Sequence, residues 1–542
     1  MKNKKYPFYN IESINNLKEL INLIAEKYGD NPAVTFERDN NIINISYRQL
    51  KSDIEALGTA FWDLGIQNEK IALIGENSYE WILTYFAAVN GGNIIVPLDR
   101  DLPEADIKNL IDDSETKTFV YSDSFSDIQE YLRDNNANIN NYINMNNIAG
   151  MIDKGSLLIK NGDRRVVDYN IKNHDFATLI YTSGTTGVAK GVMLSHFGFA
   201  RDIVASCQSV KLTGSNLLVL PLHHSFSFTG CILYMLLSGS EIIINKSLKR
   251  ITQDLLKYKP HNIFLVPLFV ETFYKKIWDG AQSKNKDGLL KKLIGISNIL
   301  LKTGIDLRRV LFKSILKEFG GNLELIVTGG APIDAKYIKG LRDFGIMTLN
   351  GYGITECSPV VCVNRNNYFR DGSVGPIFPC CEAKIAEPDE NGHGEIYIKG
   401  DIVMLGYYKN EQATKNAFDG EWFKTGDIGY IDGDGFLFIS GRKKNLIILN
   451  NGKNVYPEEI EFALLNQISY VKEVVVYAED NAITAEMFLD TENNPDCAAN
   501  IDGDILKLNR TLPVYKNIAK TIIRDTEFPK TTTKKIKRSY KQ

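Results

Sequence analysis

Residues 177–192 read Ala177-Thr178-Leu179-Ile180-Tyr181-Thr182-Ser183-Gly184-Thr185-Thr186-Gly187-Val188-Ala189-Lys190-Gly191-Val192. Ala177–Ile180 is a short, largely apolar run of the kind that forms a buried strand. Directly after it come three glycines (Gly184, Gly187, Gly191), four hydroxyl side chains (Thr182, Ser183, Thr185, Thr186) and Lys190. Glycines let backbone N–H groups approach an anion, hydroxyls donate to phosphate oxygens, and the ammonium supplies counter-charge. The stretch therefore reads as a polyphosphate cradle at the end of a strand. A flexible Gly/Ser/Thr loop is the plainer reading, but such loops seldom follow a buried strand and end in Lys. It is not a Walker A loop. Counted from Gly184, Ala189 stands where the second glycine belongs and Gly191 where Ser or Thr belongs.

Working outward, the first 120 or so residues alternate strand and helix patterns. Ile71–Ile74, Ile94–Val96 and Thr118–Tyr121 are strand-like, with helical stretches around Trp81–Val89 and Ala105–Ile111 between them. Ser13 is placed to cap a helix with Leu17, Leu20, Ile21, Ile24 and Tyr28 on one face, stopped by Gly29. Ser46 is placed to cap another, with Leu50, Ile54, Leu57 and Phe61 in line. This β-α-β order predicts mainly parallel sheets covered by helices. The pattern returns at Leu217–Leu222, Ile242–Ile244, Ile263–Val266 and Leu325–Val327, which predicts two such sheets in one large domain. The Asn-rich residues 134–148 read as a surface excursion. From about Asp371 short strands with Gly and Asp turns predict a small β-rich subdomain. A break near Gly441-Arg442 separates a small α+β domain with strands Val474–Tyr477 and Ala485–Leu489. The expected division is 1–441 and 442–542.

Composition bounds the function classes. A chain of 542 residues is too long for one core. Lys plus Arg number 63 and Asp plus Glu 66, a net charge of -3. That balance argues against nucleic-acid binding by whole-surface charge. No run of about 18 apolar residues predicts a membrane span. The basic start MKNKKYPFYN is not followed by an apolar h-region, so no secretory signal is expected. Seven cysteines without a CxxC pair, and only six histidines, fit reduced thiols in a cytoplasmic protein and give a zinc cluster little support.

Five further motifs follow in order. Gly329-Gly330-Ala331-Pro332 comes after the strand-like Leu325–Val327. Asn350-Gly351-Tyr352-Gly353-Ile354-Thr355-Glu356 is next, then Trp422-Phe423-Lys424-Thr425-Gly426-Asp427, then Gly441-Arg442-Lys443-Lys444-Asn445. The chain closes on Pro529-Lys530-Thr531-Thr532-Thr533-Lys534-Lys535-Ile536-Lys537-Arg538. Taken singly, each has a bland reading. TGD is also a turn, and a tail with six basic residues from Pro529 on is also a solvated charge run. Together with residues 181–192 they resemble the adenylate-forming superfamily of acyl-CoA synthetases, peptide-synthetase adenylation domains and luciferases. Ala189 replaces that family's proline, and Lys534 replaces its glycine before the catalytic lysine.

The resemblance implies a large N-terminal body of two stacked α/β sheet subdomains plus a small β-rich one, and a small mobile α+β lid. It implies ATP, Mg²⁺ and coenzyme A. A carboxylate attacks the α-phosphate of ATP to give an acyl-adenylate and pyrophosphate, and a thiol then takes the acyl group. Thr182, Ser183, Gly184, Thr185, Thr186 and Gly187, with Lys190, would guide the phosphates. Gly330, Ala331 and Pro332 would form the adenine turn. Asn350, Gly351, Tyr352, Gly353 and Thr355 would line the nucleotide, with Tyr352 stacked on the purine. Glu356 would hold Mg²⁺, and Asp427 would accept both ribose hydroxyls, one per carboxylate oxygen. Arg442 would contact ribose or phosphate, Lys444 would sit at the hinge, and Lys535 would be the catalytic lysine.

Substrate class rests on Pro221-Leu222-His223-His224-Ser225-Phe226-Ser227-Phe228-Thr229-Gly230, which resembles the acid-pocket segment of long-chain fatty acyl-CoA synthetases. His224 would lie near the carboxylate, and His223 packs. Ser225, Ser227, Thr229 and Gly230 are small and would leave room for a chain. No Asp lies between Leu217 and Gly230 to pair an amino-acid ammonium, which would be costly to bury alone. The expected activity is fatty acid–CoA ligation. A separate acyl carrier protein is the alternative acceptor, and a non-catalytic nucleotide-binding homologue is a third class. The segment Ala281–Phe319 interleaves basic and apolar residues. It fits a peripheral membrane contact that admits fatty acids, or equally an amphipathic helix pair with a solvated basic face.

Overall fold

The computed structural model describes residues 6–182, 189–449, 453–479, 482–530 and 536–538. The chain divides into two compact units. One comprises Met1–Glu382 with Ile398–Phe423, the other Ala383–Tyr397 with Lys424–Gln542.

The first unit holds two large sheets. One has seven strands in the order Gly406–Tyr407, Lys190–Ser195, Phe176–Thr182, Ile94–Pro97, Lys70–Ile74, Thr118–Tyr121 and Asn141–Asn144. The other has eight: Val360–Val363, Met347–Gly353, Leu325–Thr328, Asn262–Leu265, Ser215–Leu218, Glu241–Ile244, Pro32–Arg38 and Asn41–Ser46. The strands from Ile94–Pro97 to Asn141–Asn144 in the first sheet run parallel, as do those from Met347–Gly353 to Pro32–Arg38 in the second. Parallel neighbours require crossovers, which the intervening helices supply. Helix Tyr79–Asn90 is apolar nearly all round and is buried at every position except Glu80, as such a helix must be.

Two local expectations need correcting. The cap of helix Leu17–Tyr28 is Asn16, whose side chain accepts from the Glu19 N–H, and not Ser13. The hydrophobic face was read correctly, but the chain enters the helix three residues later. Ser46 does cap helix Tyr47–Asp63 through the Gln49 N–H. The Asn-rich stretch is no mere excursion. Asn141–Asn144 is an edge strand paired in parallel with Thr118–Tyr121, and Ile143 and Met145 are buried. Spaced apolar side chains among the asparagines are enough to seat one edge of the sheet.

The second unit contains the antiparallel pairing of Trp422–Ile431 with Phe436–Arg442 from Asp427 onward. It also contains a sheet of Val471–Glu479, Ala482–Leu489 and Lys520–Arg524. Helices Pro457–Gln467 and Cys497–Asn509 pack on that sheet over a core including Ile460, Leu464, Val474, Val476, Met487 and Ile505.

Candidate functional site

Strand Phe176–Thr182 pairs antiparallel with Lys190–Ser195, and Thr182 faces Lys190 across the ladder. The Thr182 hydroxyl donates to the Lys190 carbonyl at 3.4 Å. Ser183, Gly184, Thr185, Thr186 and Gly187 lie outside the described residues, and so does Lys535. On its other edge Lys190–Ser195 pairs with Gly406–Tyr407, placing Tyr407 opposite Val192. The Lys190 ammonium then lies over the Tyr407 ring, 5.1 Å from its centroid. The Tyr407 hydroxyl donates to Glu356 Oε1 at 2.9 Å. The Met404 N–H donates to the Glu356 carbonyl at 2.8 Å, tying the same two segments through the backbone. Burial and the Glu356 carboxylate hold the Tyr407 phenol well above its ordinary pKa, so it remains a donor. Lys190, Tyr407 and Glu356 thus form one line drawn from three distant segments.

Glu356 sits at the end of strand Met347–Gly353, where Thr328 and Asn350 are register partners across neighbouring parallel strands. The C-terminal ends of parallel strands are where open α/β sheets bind ligands. Gly330, with φ 82, and Ala331 and Pro332 are exposed there. Gly353 is required by packing, and Gly351 is closely packed. A Cβ on Gly351 would lie 3.1 Å from the Cys362 carbonyl oxygen, and one on Gly353 only 2.1 Å from the Pro359 carbonyl oxygen. Asn350 is buried, and its Oδ1 has no hydrogen-bond partner among the described residues. Tyr352 is half-buried on the same strand. The hydroxyls of Thr355 and Ser225 are 3.2 Å apart, so the Tyr352–Glu356 motif touches the expected acid-pocket segment directly.

That segment folds as a short helix, Ser225–Phe228, entered at His224. The His223 and His224 rings are 4.0 Å apart. His223 is buried with Nε2 3.3 Å from Asp99 Oδ1. Burial, reinforced by His224 and opposed by Asp99, lowers its pKa to about 3, so the ring is neutral at physiological pH. Tyr85, Thr178, Phe199, His224, Ser225 and Phe228 line a cavity that is closed to a water-sized group. The expectation that four small residues leave room for a chain needs correction. Only Ser225 lines the cavity. Ser227 and Thr229 are buried and donate to the Leu220 and Ser358 carbonyls, and a Cβ on Gly230 would lie 2.8 Å from the Phe264 ring. Their small size serves close packing of the helix.

In the second unit Asp427 and Arg442 are register partners, and the Arg442 guanidinium meets Asp427 Oδ1 at 2.8 Å. Two expected nucleotide-binding residues are therefore one ion pair on a buried carboxylate. Lys443 pairs with Glu395 at 2.6 Å. Burial, then Arg442 and Arg538, lower the pKa of Lys444.

The family described as AMP-binding enzyme matches residues 23–408. This chain belongs to the AMP-binding enzyme family. A second match, to the AMP-binding enzyme C-terminal domain, covers residues 444–541. The AMP-binding enzyme is 27% identical to the long-chain-fatty-acid–CoA ligase FadD15 of Mycobacterium bovis, over 95% of this chain and 94% of the relative. It is 26% identical to the Arabidopsis thaliana long-chain-fatty-acid–[acyl-carrier-protein] ligase AEE15, chloroplastic, over 92% of this chain and 78% of that one. The solved structure of the anthranilate CoA ligase AuaEII in complex with anthranoyl-AMP shares its fold. The TM-score is 0.75 at 20% identity, covering 99% of this chain and 97% of that chain.

The residue missed from the AMP-binding enzyme's sequence is Tyr407. Its only local signal is a glycine before two tyrosines, Gly406-Tyr407-Tyr408. Gly406 has φ 139, and a Cβ there would lie 3.0 Å from Thr414, so the glycine serves the turn into the strand. Lys190 and Glu356 come to Tyr407 from distant segments of the chain.

Proposed function

We propose that this enzyme activates a medium- or long-chain fatty acid with MgATP and passes the acyl group to coenzyme A. The observation that carries the reading is the contact between Thr355 and Ser225. It puts the acid-side cavity within one residue of Glu356, and Glu356 in line with Tyr407 and Lys190. An acid held beside His224 would be close to the phosphates that Lys190 and the residues from Thr182 to Gly187 are assigned to hold. Fixing two reactants in this way removes much of the entropic barrier. Mg²⁺ would draw charge off the phosphate oxygens. Glu356 suits it: one oxygen accepts from Tyr407, and the carboxylate keeps further lone pairs for a cation.

Asp427 would take the ribose hydroxyls with Arg442 alongside. Gly330, Ala331, Pro332, Asn350 and Tyr352 would hold the adenine, and the buried Asn350 Oδ1, without a partner among the described residues, is a ready acceptor there. Residues 1–441 would carry both substrates. Residues 442–542 would act as a lid that brings Lys535 to the reacting carboxylate and then withdraws it, with Lys444 at the hinge. A hinged domain is a two-state element of a familiar kind.

The fatty-acid assignment is supported by the apolar lining of the cavity and by the name of the FadD15 relative. The cleft leaves no room for a water-sized group, so any acyl chain requires its lining side chains to move. The carrier-protein relative AEE15 favours the second reading, in which a separate acyl carrier protein is the acceptor. A panel of acids from C2 to C18, with aromatic and amino acids, tests both readings by pyrophosphate release and thioester formation. The expected result is turnover of fatty acids with CoA. Turnover only with holo-carrier supports the second reading, and turnover of amino acids alone contradicts both.

The membrane contact assigned to Ala281–Phe319 is supported by helix Asp287–Lys302. Leu289, Ile296 and Ile299 lie exposed at helical spacing, with Lys291 and Lys292 exposed beside them. Arg308 and Arg309 are not part of this surface. Arg308 pairs with Asp306 and the Arg342 carbonyl, and Arg309 donates to the carbonyls of Gly321, Leu323 and Gly345. The proposed face is therefore the apolar stripe with Lys291 and Lys292. Lys291→Glu/Lys292→Glu should weaken co-sedimentation with vesicles containing anionic lipid by about tenfold or more, since each basic residue at such a surface is worth about 1 kcal/mol. Unchanged sedimentation would contradict the assignment.

A further inference from the structure

The first unit has a second concavity, of about 730 Å³, a volume typical of small-molecule sites. Its charged lining is Lys259, Lys313, Lys317 and Arg309, and no acidic residue lines it among the described residues. Lys259 and the turn Gly320-Gly321-Asn322 precede strands Asn262–Leu265 and Leu325–Thr328, which are parallel neighbours. The concavity therefore stands at the N-terminal ends of these strands. Gly330 and Asn350 stand at the opposite ends, about 13 Å away along a four-residue strand.

The walls are built from tight backbone contacts. Arg309 donates to the carbonyls of Gly321, Leu323 and Gly345, which pins the turn. Gly320 has φ 85, and a Cβ there would lie 2.2 Å from the Leu255 carbonyl oxygen, so the turn presses on helix Ile251–Tyr258. The Gly321 N–H donates to the Leu316 carbonyl at 2.8 Å, which ties the turn to helix Lys313–Glu318.

The charge on these walls is not neutralised from within. Lys259, Lys313 and Lys317 are exposed, and their ammoniums have no ion-pair partner among the described residues. Lysines close by are differently placed, since Lys246 and Lys257 share Glu37. Glu318 and Glu324 flank the lining in sequence without joining it, and Glu324 accepts from the Thr213 hydroxyl. Beside the ammoniums, Leu256 is 48% and Val310 71% exposed. A bare anion would meet only charge screened by salt. A ligand that also carries a chain takes Leu256 and Val310 out of water.

We propose that this concavity is a second ligand site, separate from the residues assigned to nucleotide and acid, for an anionic amphiphile. Its carboxylate or phosphate head would meet the three lysines, and its acyl chain would cover Leu256 and Val310. Fatty acids and acyl-CoA thioesters share that chemistry.

The test is photolabelling of the full-length enzyme with a diazirine-bearing long-chain fatty acid and, in a second arm, with its CoA thioester, followed by mapping of the labelled peptides. Label is expected on the peptides holding Leu256 and Val310, and the arm that gives it tells a carboxylate head from a phosphate one. Lys259→Glu/Lys313→Glu/Lys317→Glu should lower that label by about tenfold or more, three weak surface contacts being lost together. Should this variant fail to fold, Val310→Glu must lose the label in its place. Label on the peptide holding His224 reports the acid-side cavity, so failure of the fatty-acid reading shows separately. No label at Leu256 or Val310 from either probe, or label that survives the substitutions, would overturn the proposal. Full displacement by millimolar inorganic phosphate would make this a plain anion site, and label seen only with vesicles present would make it a membrane contact. Either result also overturns it.

Discussion

Lys535→Ala is expected to lower the rate of acyl-adenylate formation by about 10³-fold and to leave thioester formation from preformed acyl-adenylate within about tenfold of the unaltered enzyme. The asymmetry follows from charge. In the first step a carboxylate approaches the α-phosphate, and negative charge crowds at the reacting oxygens. An ammonium bridging them in a partly desolvated site is worth far more than in water. In the second step a thiol attacks an activated acyl group and AMP departs, and the proposed withdrawal of the lid would leave Lys535 no part in it. The residue's own segment has six basic residues and no acidic one from Pro529 to Gln542, so loss of one charge leaves the segment's character intact. The check is to measure both half-reactions on one preparation. Equal loss would mean that Lys535 acts through the fold or serves both steps, and the account of a withdrawing lid would fail.

Glu356→Gln is expected to raise the Mg²⁺ concentration needed for half-maximal adenylation by at least tenfold and to lower the saturated rate by about 10²-fold. The amide has one weak acceptor where the carboxylate has two charged oxygens. The Tyr407 hydroxyl can still donate to the amide oxygen, so the scaffold of Met404–Tyr407 against Glu356 should persist. That makes the variant a probe of charge more than of folding. Tyr407→Phe gives the complement. It removes the hydrogen bond to Glu356 but keeps the ring beneath Lys190 and the carboxylate's charge, so it should shift the Mg²⁺ titration by less than Glu356→Gln does. Mg²⁺ titrations of pyrophosphate release measure both. A titration unchanged in Glu356→Gln would remove Glu356 from the metal role.

What could be read from the sequence was whatever is encoded locally. The strand ending at Thr182, the glycines of residues 350–353 and the turn at Gly330 each announce themselves through residues adjacent in the chain. The parallel sheets were legible because short apolar runs alternate with helical ones. Relations made by pairing were not legible. Tyr407 becomes a link between Lys190 and Glu356 only because Gly406–Tyr407 zips onto Lys190–Ser195. Arg442 and Asp427 were read as two contacts to a nucleotide, and their opposition in a hairpin makes them one pair. Small residues misled for the same reason. Ser227, Thr229 and Gly230 were read as open space, because a sequence does not show that Leu220, Ser358 and Phe264 fold against them. The ion pairs of Arg538 with Glu461 and of Lys530 with Glu473 were hidden in a stretch whose composition alone suggests a solvated tail.

The central claim is that this AMP-binding enzyme makes an acyl-adenylate from a fatty acid. It is tested most directly by incubating enzyme, MgATP and a fatty acid without any thiol, with hydroxylamine as trap. The account predicts acyl hydroxamate formed in step with AMP and pyrophosphate, dependent on both the acid and Mg²⁺. ADP and phosphate as the nucleotide products, or no hydroxamate from any fatty acid, would contradict it.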